Sequence, residues 1–371
     1  MDFSLTEEQV LLRDSVARYV SENCSVERHR ALCARQAGFD PDTWQAFAEL
    51  GWLAVPFDEA LGGLGGGATD LMVLTEAMGG SVVREPYLHT VVSCGGLLQQ
   101  CGSTEQQAAY IPAIIEGAAQ WALAIAEDNA SYALERISTT ASANGDGYTL
   151  NGAKHAVLNG DAADHLVVSA LLDGAPTLFI VDANAAGITR DKFVAVDGAC
   201  GAAIRFSDVD LPADSLLGTA GQGVAQLQRA FNLAIVAIGG EALGAMRALL
   251  EATVEYTKTR EQFGQPISKF QALQHRMADM YMKVEETRSL LFNAAIALDE
   301  NRPEQDQACA ALKVKVAEAG KLVSQEAVQL HGGIGMTDEL IVGHHYKRLL
   351  LLGKLYGDEG YYLQRYVDLA A

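Results

Sequence analysis

The residues predict an α+β fold in three consecutive blocks: helical over 1–112, all-β over 113–217, and a helical bundle over 218–371. Three observations predict it. Cap residues precede apolar-periodic runs at the start of the chain. Short β-branched runs separated by turn dipeptides fill the middle. Long stretches of 3.6-residue periodicity fill the last 150 or so residues.

In the first block, Thr6-Glu-Glu-Gln-Val-Leu-Leu opens a helix with Thr6 as candidate N-cap. Phe39-Asp-Pro-Asp-Thr-Trp opens another after a turn. The glycine-rich run from Leu61 to Asp70 imitates a dinucleotide fingerprint, but no strand precedes it. A turn leading into a helix capped by Thr69 or Asp70 is the expectation. In the middle block, Trp121-Ala-Leu-Ala-Ile-Ala, Tyr148-Thr-Leu, His165-Leu-Val-Val-Ser and Thr177-Leu-Phe-Ile-Val are strand candidates. Asn151-Gly152, Asn159-Gly160 and Asp173-Gly174 are expected as turns between strands of a sandwich or barrel. In the last block, Leu243, Met246, Leu250 and Val254 share one helical face. Met277, Met280, Tyr281, Val284 and Leu291 share another, expected in the core. His344 and His345 are expected on a helix surface, and His155 in a strand without a catalytic role.

A net charge of −20 and a pI near 4.7 argue against nucleic-acid binding. No run of about 18 apolar residues suggests a membrane span. The first residues, Met-Asp-Phe-Ser-Leu-Thr-Glu-Glu, have neither the basic stretch nor the apolar core of a signal peptide. Six scattered cysteines without a CxxC pair fit reduced, mostly buried thiols in a cytoplasmic protein, with no metal site.

The most informative stretch is Arg260-Glu-Gln-Phe-Gly-Gln-Pro-Ile267, followed by Phe270-Gln271. An arginine beside a glycine turn at a helix end can hold a phosphate or pyrophosphate. A second glycine turn, Gln329-Leu-His-Gly-Gly-Ile-Gly335, admits close backbone approach to a planar ligand. Together with the helical–β–helical order, these segments resemble the acyl-CoA dehydrogenases, flavoenzymes that desaturate acyl thioesters. The resemblance spans essentially the whole chain and implies a C-terminal four-helix bundle. It implies that Arg260, Gln262, Phe263, Phe270 and Gln271 serve the pyrophosphate of FAD, and Gln329, His331, Gly332 and Gly333 its adenosine side. Ile125 and Ala126 align with the flavin-contacting segment of the β domain. In that family the C-terminal segments reach FAD across a subunit interface. A tetramer follows, either of one chain or with a homologous subunit, and electron-transfer flavoprotein is the implied acceptor.

The implied chemistry needs a carboxylate to take the α-proton of the acyl-CoA, a flavin to take the β-hydride, and hydrogen bonds that polarise the thioester carbonyl. Matching the family's C-terminal turn places Asp358 at the base position and Glu359 one residue beyond. The alternative base position falls on Ala234, which supplies nothing. Other positions depart from the pattern. Ala126 stands for a threonine, Tyr132 for a serine, Ala156 for a flavin-packing tryptophan, Leu158 for a threonine, and Ile235 for an arginine that faces CoA. The adenine half of a flavin is therefore better provided for than its ring or the CoA. Three readings remain open. The chain is an active dehydrogenase with Asp358 or Glu359 as base. It is the partner subunit of a hetero-oligomeric dehydrogenase, of the kind seen in bacterial steroid side-chain degradation. Or it is a binding protein that has lost both flavin and catalysis.

Overall fold

The computed structural model describes residues 4–128 and 130–370. Thr6 begins α1 (Glu7–Asn23) through a reciprocal capping box with Gln9. α2 (Val26–Ala34) follows, then α3 (Pro41–Glu49), where Asp40 caps and Pro41 sits at the first helical position. α4 is Ala68–Gly79, α5 is Gly96–Cys101 and α6 is Thr104–Ile115. A π-helical segment, Leu88–Gly95, precedes α5.

The start of α4 corrects the expected cap. Gly67, not Thr69 or Asp70, is the N-cap residue. Asp70 instead receives the Gly67 N–H at 2.8 Å. The carboxylate of Asp299, more than 200 residues away, takes the N–H groups of Ala68 and Thr69 and the Thr69 hydroxyl. Orphan donors at a helix start need an acceptor, and here a distant carboxylate supplies it.

The middle of the chain forms one eight-stranded mixed sheet. Its strands are β1 (Trp121–Ala124), β2 (Thr140–Asn144), β3 (Gly147–Leu158), β4 (His165–Leu172), β5 (Ala175–Asp182), β6 (Ile188–Val194), β7 (Cys200–Leu211) and β8 (Leu216–Leu217). The order is β6-β7-β3-β2-β4-β5-β8, and β1 runs parallel to β4 at the other end of the edge that β2 occupies. Asp173 and Gly174, both at positive φ, make the two-residue β4–β5 hairpin. Asn151-Gly152 is no turn: it lies inside β3, where the register with β7 shifts. Gly152, at φ +146°, lies so close to Thr139 that a Cβ would overlap it.

The chain then runs through α7 (Gly223–Thr259), the hairpin β9 (Glu261–Gln262) and β10 (Gln265–Pro266), α8 (Gln271–Asp299), α9 (Gln305–His331), α10 (Ile341–Leu352) and α11 (Glu359–Ala370). Contacts divide the protein into two compact units that are not sequential blocks. One joins Met1–Ala31, Gly67–Val83 and Ile235–Ala371. The other joins Leu32–Gly66 and Arg84–Ala234, and contains the sheet. In the first unit α9 packs against α8, α10 and α11. α7 is long and apolar enough to cross a membrane, but 72% of its most apolar window is buried inside the protein. Core packing explains its apolarity.

Two expectations about side chains change. Met280, Val284 and Leu291 are buried as the stripe required, but Tyr281 is 57% exposed. It lies one residue past Met280, about 100° around the helix, and leaves the stripe. His344 and His345 are buried, not superficial. The His344 ring meets His29 edge-on, and burial pulls His345 down to about 4, so it stays neutral.

Candidate active site

The Arg260 motif is a tight hairpin at the end of α7. Arg260 N–H closes the last helical turn on the Tyr256 carbonyl at 2.9 Å, and its own carbonyl accepts from Ile267 at 2.8 Å. Phe263 and Gly264 form the two-residue turn, both at positive φ, joining Gln262 to Gln265. Phe263 is 92% exposed, with its ring edge-on to Phe270, the residue that starts α8. Gln262 turns its amide onto the carbonyl of Glu261 at 2.7 Å. Gln271 is exposed, as is Arg260. Among the described residues, no side chain or carboxylate partners the Arg260 guanidinium.

The second motif closes α9. Gly332 is its C-cap at φ +65°, and Gln329, Gly332 and Gly333 face solvent. A Cβ added at Gly332 or Gly333 would meet nothing within 4 Å. Open space, not internal packing, surrounds this turn. His331 is buried: its Nδ1 lies 2.8 Å from the Ala327 carbonyl and its ring stacks on Tyr256 at 4.5 Å. Burial lowers its pKa, partly opposed by that carbonyl, so the ring is a neutral spacer. Since Tyr256 lies one turn before Arg260, the stack brings the two motifs to the same end of the bundle.

Asp358 and Glu359 belong elsewhere. Asp358 precedes α11, where its carboxylate accepts the Tyr361 N–H at 3.1 Å and Lys354 Nζ at 3.0 Å. These two bonds, in that order, hold the carboxyl below its usual range. Glu359 follows it, exposed, in the first helical turn. The preceding turn is anchored from within. Lys313 of α9 is fully buried and donates to the carbonyls of Leu352, Gly353 and Gly357 at 3.0, 2.9 and 2.8 Å. Burial pulls its ammonium down to about 7, while nearby Asp358 favours the charged form. The role of Lys313 was not read from the sequence. The signal was there: a lysine on the same face as Val316, Gly320 and Val323, all buried.

In the sheet, Ile125 and Ala126 follow β1 and are half-buried. The Ala126 carbonyl accepts from the His155 N–H at 2.9 Å. Glu127, next in sequence, meets Lys154 Nζ at 2.6 Å, with Ser138 and Thr139 as further donors. Burial alone would raise Glu127, but those donors outweigh it and hold it at about 2. Burial pulls Lys154 to about 8, with Glu127 pushing back. Both members are therefore charged at neutral pH, matched inside the protein. Ala156 is exposed at φ +50° in the β3 irregularity. Ile235 and Ala234 are buried in α7.

These surroundings fit one end of a flavin dinucleotide. The unpartnered Arg260 guanidinium and the exposed glycine turn at Gly332 suit a pyrophosphate and a flat heterocycle. The side chains of Ala126 and Ala156 are methyl groups without a hydrogen-bonding atom.

Comparison with known proteins agrees with this fold. Family models match over nearly the whole chain: the acyl-CoA dehydrogenase N-terminal domain at residues 6–118, the middle domain at 122–209 and the C-terminal domain at 221–364. The probable acyl-CoA dehydrogenase YngJ of Bacillus subtilis (strain 168) is 32% identical over 351 residues, covering 91% of each chain. The butyryl-CoA dehydrogenase of Megasphaera elsdenii shares the fold at a TM-score of 0.93 and 28% identity, over 100% of both chains. A chain of the ChsE4-ChsE5 complex from Mycobacterium tuberculosis gives 0.91 at 28% identity, over 99% of this chain and 98% of that one. On its sequence, its fold and its two glycine turns, the chain belongs to the acyl-CoA dehydrogenase family of oxidoreductases.

Proposed function

We propose that the chain takes part in the FAD-dependent α,β-desaturation of an acyl-CoA thioester as the flavin-clasping partner in a hetero-oligomer with a homologous subunit. The observation that carries this reading is the state of Asp358. Its carboxylate is engaged as a helix cap and by Lys354, and both bonds make it a weaker base. A proton-abstracting carboxylate needs the opposite environment. The chain's contribution is then its open end. Arg260 binds the pyrophosphate, the backbone turn at Gly332–Gly333 receives the adenine, and His331 with Tyr256 keeps the two aligned. Bound FAD supplies hydride acceptance. The homologous subunit supplies the base and the polar contacts to the ring and CoA that Ala126, Ala156 and Ile235 do not make. Electron-transfer flavoprotein is the acceptor class this chemistry calls for.

A second reading rests on Glu359. It is exposed in the first turn of α11, and among the described residues its carboxylate has no partner. On that reading the chain acts alone with Glu359 as base.

Expression alone and beside its homologous neighbours separates the two. The first reading expects a lone chain with little flavin and no turnover, and a yellow, active assembly once a second chain co-purifies. A lone chain whose flavin is bleached by an acyl-CoA contradicts it.

A further inference from the structure

Arg84 makes an unusual set of contacts in the sheet-containing unit. Its guanidinium donates to the carbonyls of Gly38 at 3.4 Å, Ala37 at 3.1 Å and Gly198, and to the sulfur of Cys33 at 3.0 Å. No carboxylate lies within ion-pair distance among the described residues. Its positive charge is thus matched by three carbonyl dipoles and one thiol. Cys33 lies in the last turn of α2 and is half-buried.

A second thiol shares the same turn. Cys200 begins β7 and is buried, its Sγ 3.5 Å from the Gln36 carbonyl and 4.0 Å from that of Gly198. Gln36 in turn donates its N–H to the Cys33 carbonyl at 3.0 Å. Gly198 lies beside both sulfurs. It sits at φ +87°, and a Cβ there would lie 2.6 Å from Cys33 Sγ and 2.7 Å from Arg84 Nη1. Conformation and room both demand glycine at this point. Burial raises the Cys200 thiol first, and the charge of Asp161 raises it further. The two sulfurs differ in access and contact: Cys33 is half-buried with the Arg84 guanidinium on its sulfur, whereas Cys200 is buried.

We propose that Cys33 and Cys200 form a redox couple, with Cys33 as the sulfur that attacks a hydroperoxide and Cys200 as the thiol that closes a disulfide. The Cys33 thiolate attacks one oxygen of the peroxide. The S–O bond forms, the O–O bond breaks and hydroxide leaves, so sulfur loses two electrons and the peroxide gains them. The Arg84 guanidinium, 3.0 Å from the Cys33 sulfur, lies beside the atom that attacks. Cys200 sulfur then attacks Cys33 sulfur. The S–S bond forms, the S–O bond breaks, and the Cys200 proton leaves with the hydroxyl as water. The product staples the end of α2 to the start of β7. This pair stands apart from the flavin chemistry proposed above.

The test uses the full chain and equimolar hydrogen peroxide, read by intact mass and by peptide mapping without reductant. The expected result is loss of two hydrogens and a cross-linked peptide pair holding Cys33 and Cys200. With Cys200→Ser, dimedone traps a sulfenic acid at Cys33. Arg84→Lys slows the oxidation. Should that variant fail to fold, the wild-type chain decides through its iodoacetamide kinetics. Cys33 is expected to label on the order of tenfold faster than Cys101, the other half-buried cysteine, whose thiol burial pushes up to about 11. Absence of the Cys33–Cys200 peptide, or labelling of Cys101 as fast as Cys33, overturns the proposal.

Discussion

The two ends of α9 carry the same kind of material and treat it in opposite ways. At the C-terminal end, His331 stacks under a hairpin whose arginine has no partner in its own chain, beside glycines that face open space. Eighteen residues earlier (331 − 313), roughly 27 Å along the helix axis, Lys313 is sealed in by three carbonyls. Next to it, Asp358 has its acceptor capacity taken up by a helix start and a lysine. A charge left without an internal partner awaits something from outside, whereas a charge fully matched inside holds a turn in place. By that criterion the Arg260 end suits the binding role proposed for it, and the Asp358 end supports a turn.

The strongest way to break the contrast is at the sealed end. Lys313→Met removes the donor from three buried carbonyls, and each unsatisfied group costs about 1–3 kcal/mol. A drop of about 3 kcal/mol or more in unfolding free energy is expected from denaturant titration of the apo chain. A change under about 1 kcal/mol means that water replaces the ammonium and the turn is not anchored as described. At the open end, Arg260→Ala is expected to leave apo stability unchanged and to weaken FAD binding in the assembly by about 2–5 kcal/mol. Fluorescence titration of FAD reads this directly, and equal affinity removes Arg260 from the site.

Acid sharpens the comparison inside the sheet, where polar groups are also matched internally. Glu127 sits at about 2 in the folded protein, below the ordinary carboxylate value of 4.5. A folded value below the unfolded one contributes stability above about 4.5 that is lost as pH falls toward 2. Thermal melts across that window are expected to fall more steeply for the native chain than for a Lys154→Met/Glu127→Gln pair. Parallel curves remove Glu127 as the titrating group. The smallest effect concerns Asp358. Asparagine caps a helix about as well as aspartate, so Asp358→Asn shifts stability by no more than about 0.5 kcal/mol, whereas Asp358→Ala costs about 1 kcal/mol.

Much of this was legible in the residues, in proportion to how local the physics is. The N-cap at Thr6, the helix opening at Phe39-Asp-Pro-Asp-Thr-Trp and the Asp173-Gly174 turn depend on neighbours a few positions apart, and all three formed. The misreadings share another cause. A nearby hydroxyl or carboxylate is the expected cap of α4, but Asp299 arrives from another helix. Asn151-Gly152 carries a turn signature, yet close contact with Thr139 places it inside a strand. His344 and His345 sit beside Lys347 and Arg348 in sequence, but tertiary packing buries them. The candidate site divides along the same line. Arg260 and the Gly332 turn carry their geometry in short motifs. Lys313, which holds the turn before Asp358, and Glu127, which neutralises Lys154, come from distant segments that no motif joins.

The most direct test is the rate of flavin bleaching by an acyl-CoA in the assembled complex, with Asp358→Asn and Glu359→Gln introduced together into this chain alone. If the chain clasps the dinucleotide and leaves proton abstraction to its neighbour, the rate stays within about twofold of the unmodified complex. A loss of about a hundredfold or more, the usual contribution of a general base, places the base in this chain and contradicts the account.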